Sequence, residues 1–142
     1  MWILVDTNVF LDCLVDREGK SEATKFFLNC KRKKCSVFIT SMSLRDIEYA
    51  AHRITHDKAL SKRILLAAYE MCTKVIGISA DDAITSIYSD VDDYEDSLAI
   101  EAAKREMINI IVTNNIKDFS KSNFPCCTPK AFNEAIESAE TN

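Results

Sequence analysis

Short apolar runs of strand length alternate with amphipathic stretches of helical period along the chain, and no other feature constrains the fold as tightly. WILV near the N-terminus, VFIT (Val37 to Thr40), KVIGIS (Lys74 to Ser79) and Ile108 to Val112 read as buried strands. A helix is predicted straight after the first strand. Others follow from Ser21 to about Lys34, Ser41 to Ile54, Lys58 to Cys72, Asp81 to Tyr88 and Tyr94 to Met107, with a closing helix from Pro129 to about Ser138. The spacing of Leu44, Ile47, Ala51 and Ile54 is typical of them: one apolar face, three or four residues apart. Strand–helix alternation predicts an α/β domain with a mostly parallel sheet. Neither a repeat nor a Pro/Gly/Ser-rich linker divides residues 1–142, which read as a single domain.

Glycine is scarce. Gly19 and Gly77 are the only two, far apart, which excludes glycine-rich phosphate loops and dinucleotide-binding fingerprints. Any chemistry must therefore come from side chains. The formal net charge of -4 gives no hint of nucleic acid, although a local basic patch remains compatible with it. The 6 cysteines show no C-x-x-C pairing, so zinc is not expected, and a disulfide framework would belong to a secreted chain. Asp6 interrupts the apolar start and no basic residue precedes it, so no signal peptide is predicted. Nor does any apolar run approach the roughly 18 residues of a membrane span. A cytoplasmic location with reduced thiols is the expectation.

In a parallel sheet, ligands bind beyond the carboxyl ends of the strands. Asp6, Thr7 and Asn8 follow the first strand. Thr40 and Ser41 follow the second, with Asp46 and Glu48 on the next helix. Asp92, Asp93, Glu95 and Asp96 open the helix before the fourth strand, and Thr113, Asn114, Asn115 and Asp118 come after it. Acids from four segments can thus meet at one sheet edge, where mutual repulsion calls for a cation. All-oxygen ligands favour Mg²⁺ or Mn²⁺. Taken singly, each acid has a plainer reading: Asp6 as a helix cap, Asp118 as a solvated loop acid, and Asp93 with Asp96 as a capping box, which is the better account of that pair in isolation. Their convergence on one edge is what favours a site. Asp46 and Glu48 stand about 200° apart on a helix, so only one can face the site, and periodicity places Glu48 nearer the apolar face.

Four stretches, LVDTNVFLD, ITSMSLRDIEYAAHR, DYEDSLAIEAA and IIVTNNIKDF, together resemble the successive motifs of the PIN domain family, and the likeness continues to TPKAFNEAI. PIN domains are small metal-dependent ribonucleases, many of them VapC-type toxins. The resemblance implies a Rossmann-like three-layer sandwich with a central, mostly parallel sheet of four to five strands flanked by helices. It also implies hydrolysis of RNA phosphodiester bonds, leaving a 5′-phosphate. By this likeness the catalytic acids fall on Asp6, Asp46, Asp96 and Asp118, with Asp6, Asp96 and Asp118 as metal ligands. Thr7, Asn8, Asp93, Thr113 and Asn115 fall on supporting positions. Asp46 is one methylene shorter than the glutamate common there, so a bridging water is expected. The DYED form looks most like a subgroup in which this second acid is often Asp. An RNA substrate and a small antitoxin protein are the implied partners, and such toxins are often homodimers. A non-catalytic PIN-like module that binds RNA or protein is the alternative.

RNA also needs cations near the acids. Arg17, just beyond the first helix, and Lys117 and Lys121, flanking Asp118, are the predicted phosphate contacts. The KRKK run (Lys31 to Lys34) reads as a solvated helix end favoured by the helix dipole. His52 and His56 are four apart, but HRITH lacks the glutamate of a metalloprotease helix. Trp2 is expected to pack on an edge strand.

Overall fold

In the computed structural model, which describes residues 1–142, the first apolar run forms β1 (Trp2–Val5) and is followed at once by α1 (Thr7–Leu14) and α2 (Lys20–Arg32). β2 (Ser36–Thr40) leads into α3 (Ser41–Thr55) and α4 (Lys58–Glu70), and then come β3 (Lys74–Ile76), α5 (Ala80–Ile87) and α6 (Tyr94–Arg105). The chain closes with β4 (Ile110–Val112), α7 (Ile116–Phe119), a 3₁₀ turn at Ser120–Ser122, β5 (Cys126–Cys127) and α8 (Pro129–Thr141).

The five strands form one sheet in the order β3-β2-β1-β4-β5, and every neighbouring pair is parallel. Side chains alternate across it. Ile3 and Val5 of β1 join Val37 and Ile39 in a core under α1, α2, α3, α4 and α8. Leu4, between them, points the other way and packs with Phe38, Ile76 and Ile111 against Ile100 and Ala103 of α6. Both faces are covered, giving a three-layer α/β sandwich. The chain winds outward from β1 through β2 to β3, then returns to the other side of β1 for β4 and β5. The winding therefore reverses between β1 and β4, and a crevice opens at their carboxyl ends.

Several local readings needed correction. Trp2 starts the central strand, not an edge, and its ring packs on Phe38 with centroids 5.4 Å apart. The third strand stops at Ile76, because Ser79 is committed to capping α5: its hydroxyl accepts the Asp82 N–H while its own N–H donates to Asp82. The fourth begins at Ile110, because the Ile108 N–H closes α6 onto the Ala103 carbonyl. The basic run is not simply solvated, since Arg32 and Lys33 both pair with Glu140 and tie the end of α2 to α8. His56 leaves α3 in the left-handed conformation (φ 56), so it does not continue the face that carries His52.

With glycine so scarce, non-glycine residues occupy every left-handed position: Lys34, His56, Met107 and Asn123. Each follows a helix or turn that must reverse direction, where glycine is the usual choice. Gly19 serves a different purpose. A Cβ there would lie 2.3 Å from Oδ2 of Asp12, so the missing side chain is what lets a buried carboxylate fit against the turn.

Candidate active site

Asp6 leaves the end of β1 as the N-cap of α1, its Oδ1 accepting the Thr7 N–H at 2.8 Å. The other oxygen, Oδ2, accepts from the Thr113 hydroxyl at 2.9 Å. Thr113 follows β4, is wholly buried, and also receives the Asn115 N–H on its Oγ1 at 3.0 Å. Backbone pairing completes the junction, with the Asp6 N–H donating to the Val112 carbonyl at 3.0 Å. The carboxylate is thereby fixed at the reversal point of the sheet. Capping and site-building prove to be the same placement.

Around it lies an open cleft of ≈ 560 Å³. Six carboxylates line it: Asp6, Asp46 from α3, Asp93, Glu95 and Asp96 from the start of α6, and Asp118 from α7. Asp93 is the N-cap of α6, accepting the Asp96 N–H at 3.1 Å. Thr7, Asn8 and Asn115 complete the polar lining, and Arg45 is its only cation, 3.2 Å from Asp46. All four predicted catalytic acids share this cleft, as do the predicted supporting residues except Thr113, which acts from beneath through Asp6.

Asp46, not Glu48, faces the cleft. The two flank buried Ile47 at about 100° on either side. Leu44 lies on the Glu48 flank and turns to the groove formed with α4, whereas Ala50 shares the Asp46 flank and lines the cleft. The apolar pattern alone cannot tell these flanks apart, because both border the core.

The cluster resists its own ionisation. Burial is the largest effect raising Asp6 above its ordinary pKa; hydrogen bonds from Thr113 and Thr7 oppose it, and the charges of Asp46 and Asp93 add to it. Asp96 is pushed up to about 7, first by burial and then by Asp93, Asp6, Asp118 and Glu95. Glu95 is raised as well, by burial and by Asp46 and Asp93. No three of the chain's His, Cys, Asp and Glu side chains are gathered closely enough to hold an ion as they stand. The donor set nonetheless fits a hard divalent cation: all oxygen, mutually repelling, and half-sheltered from water.

Arg17 stands outside this cleft, in a groove continuous with it. Lys117 and Lys121 do not line the cleft, and Lys121 pairs with Asp92 at 3.0 Å. Sequence reasoning passed over Asp12, whose buried carboxylate accepts from Asn114 Nδ2 at 2.7 Å and lies 3.3 Å from Arg17 Nε. An acid inside the apolar run VFLDCLV was the available signal.

Solved structures with the same fold include a chain of VapBC2 from Rickettsia felis, bound to a DNA fragment from its promoter, at 19% identity and a TM-score of 0.67 over 90% of this chain and 98% of that one. A toxin–antitoxin complex from Klebsiella pneumoniae matches at 21% identity and a TM-score of 0.67, over 89% of this chain and 97% of that one. VapC20 of Mycobacterium tuberculosis, described as a sarcin–ricin loop cleaving toxin, matches at 17% identity and 0.65, over 86% and 95%. No curated protein matched the sequence. The PIN domain family profile matches residues 2–117, the stretch that supplies every acid of the cleft but Asp118. On that match this chain belongs to the PIN domain family.

Proposed function

We propose that this protein is a ribonuclease that hydrolyses RNA phosphodiester bonds with Mg²⁺ or Mn²⁺, and that it acts as the toxin of a type II toxin–antitoxin pair. The observation that carries the reading is the convergence of six carboxylates from four elements on the reversal point of the sheet. Family membership and the toxin–antitoxin structures among the neighbours support it.

Asp6, Asp96 and Asp118 would hold the ion. When bound, a divalent cation lowers the pKa of its water and stabilises charge on the phosphate oxygens. Asp46 orients the attacking water and takes up its proton. Thr113 and Thr7 keep Asp6 aimed, and Asp93 fixes the first turn of α6 on which Asp96 stands. Asn8 and Asn115 line the cleft and offer amide donors to the substrate phosphate. The partners in this reading are RNA, a small antitoxin protein and a second copy of the chain, and the setting is the cytoplasm. No helix is long and apolar enough to cross a membrane.

The test is incubation of the purified protein with RNA in Mg²⁺ or Mn²⁺, followed by chelator. Cleavage that stops on chelation is expected, with 5′-phosphate ends. Cleavage that survives chelation would sink the metal mechanism. Absence of cleavage under any of these conditions would favour a non-catalytic PIN-like binding module.

A further inference from the structure

The charges around the acid cleft are not evenly spread. Toward α6 the rim is acidic, with Asp92, Asp93 and Glu95 all exposed. On the α1 and α3 side a second groove begins, sharing Asn8, Leu11, Tyr49 and Ala50 with the acid cleft and extending it to Arg17, Arg53 and Ile54. Arg45, Tyr49 and Arg53 are spaced four apart on α3, so they form one stripe with steps of about 6 Å, starting at the cleft and running along the groove.

Three features of this groove are only partly used within the fold. Arg53 is exposed and contacts no carboxylate; its guanidinium lies over the Tyr49 ring, 5.8 Å from the centroid. Tyr49 stays 57% exposed even so, and Ile54 in the same groove is exposed as well. Arg17 is paired through Nε with buried Asp12 at 3.3 Å, which holds the guanidinium at the groove wall and leaves its outer nitrogens free of protein hydrogen bonds. A guanidinium held at the groove wall, a second one paired with no carboxylate and a largely exposed aromatic ring are the components that hold a single-stranded nucleic acid: cations on phosphate oxygens, an aromatic ring under a base. A strand with one phosphate among the carboxylates is repelled along the acidic rim and drawn along this one.

We propose that Arg17, Tyr49 and Arg53 form a nucleotide subsite beside the cleavage site, with Arg17 and Arg53 on phosphate oxygens and Tyr49 stacked under a base of single-stranded RNA. The inference rests on the nuclease reading of the acid cleft, and adds to it which way the substrate leaves that cleft. It also explains how an acidic chain handles RNA: the needed cations are few, local and set to one side.

The experiment measures anisotropy of a fluorescein-labelled, mixed-sequence single-stranded RNA titrated with protein in chelator, where cleavage is suppressed. Cleavage of the same RNA in Mn²⁺ is then followed separately. Tyr49→Ala should weaken binding about tenfold, and Tyr49→Phe should keep it, because stacking needs the ring and not the hydroxyl. Arg53→Ala should weaken binding and reduce the slope of log affinity against log salt by about 0.7, the value for one phosphate contact on a single strand. In Mn²⁺ both alanine variants should raise KM and leave kcat near wild type. Unchanged affinity and KM in Tyr49→Ala and Arg53→Ala would overturn the subsite while leaving the nuclease reading intact. Equal loss in Tyr49→Phe and Tyr49→Ala would overturn the stacking role. Loss of RNA binding in the alanine variants of a protein that cuts nothing would uphold the subsite and remove the nuclease. Variants that bind RNA normally but no longer bind a protein partner would make the groove a protein surface and overturn the proposal.

Discussion

The Thr113 hydroxyl donates to Asp6 Oδ2 at 2.9 Å, joining two residues that are 107 positions apart in sequence and adjacent at the reversal point of the sheet. This bond is one of the two that hold the Asp6 pKa down against burial. Thr113→Val keeps the shape and removes the donor. It is expected to cost about 1–2 kcal/mol in urea unfolding and to lower cleavage at neutral pH more than at pH 8, because Asp6 then titrates higher. An unchanged pH profile would show that the bond does not govern Asp6.

Asp6→Asn should abolish cleavage and leave the fold intact. Asparagine caps helices as well as aspartate does, so α1 keeps its start, and one of the repelling charges is gone. Circular dichroism and a thermal melt check the fold, and a ribonuclease assay checks the activity. Wild-type cutting by the folded variant would place the chemistry elsewhere.

Asp96 sets a pH dependence whose sign follows from its direction. Its folded pKa of about 7 stands above the ordinary 3.8, so between those values the native state holds a proton that the unfolded state has lost. Its contribution to stability is therefore greatest at low pH and declines as pH rises through about 7. Without divalent ions, the Asp96→Asn variant should flatten that decline. Added Mn²⁺ should raise the melting temperature of the wild type more at pH 8 than at pH 5.5, since ion and proton compete for the same oxygens. A metal-induced shift independent of pH would count against Asp96 as a ligand.

Gly19→Ala should destabilise by about 1–3 kcal/mol. The new Cβ would meet Asp12 Oδ2 at 2.3 Å and Cγ at 2.7 Å, and that carboxylate is held in place by Asn114 and Arg17. Because Asn114 sits in the loop that carries Thr113 and Asn115, the strain should also reduce activity. Chemical denaturation beside a cleavage assay tests both parts, and a neutral effect on stability would show that the Asp12 network yields easily.

Met107→Gly should stabilise by about 0.5–1 kcal/mol. Met107 is mostly exposed and adopts φ 58, a conformation that penalises a side chain and suits glycine. Thermal or urea melts measure the gain, and a loss would mean that its side chain contributes packing.

How much of this was legible in the sequence depends on how far each feature rests on local order. β1 and β2 were readable, since their apolar runs are buried nearly throughout. β5 was not: Cys126 and Cys127 are two residues whose only strand character is their pairing with β4. Three of the four acids expected at the cleft could be located from local order, because Asp6 follows β1, Asp96 stands in the first turn of α6 and Asp118 comes shortly after β4. The Asp46 flank needed the resemblance, because the two sides of α3 differ only in what packs there. Asp12, Tyr49 and Arg53 went unread for a related reason. Their roles come from neighbours far away in sequence, Asn114 for the first and the α1–α3 groove for the others.

Finally, the order of the strands has a consequence for the protein's birth. Asp6 and Asp46 leave the ribosome early, but β4, which must lie beside β1 to bring Thr113 and Asp118 into place, comes from the last third of the chain. A nascent chain that still lacks β4 cannot bring Thr113 or Asp118 beside Asp6, whatever helices it has already formed. On the proposed reading, the cleft that would act on RNA is thus among the last parts of the fold to be completed.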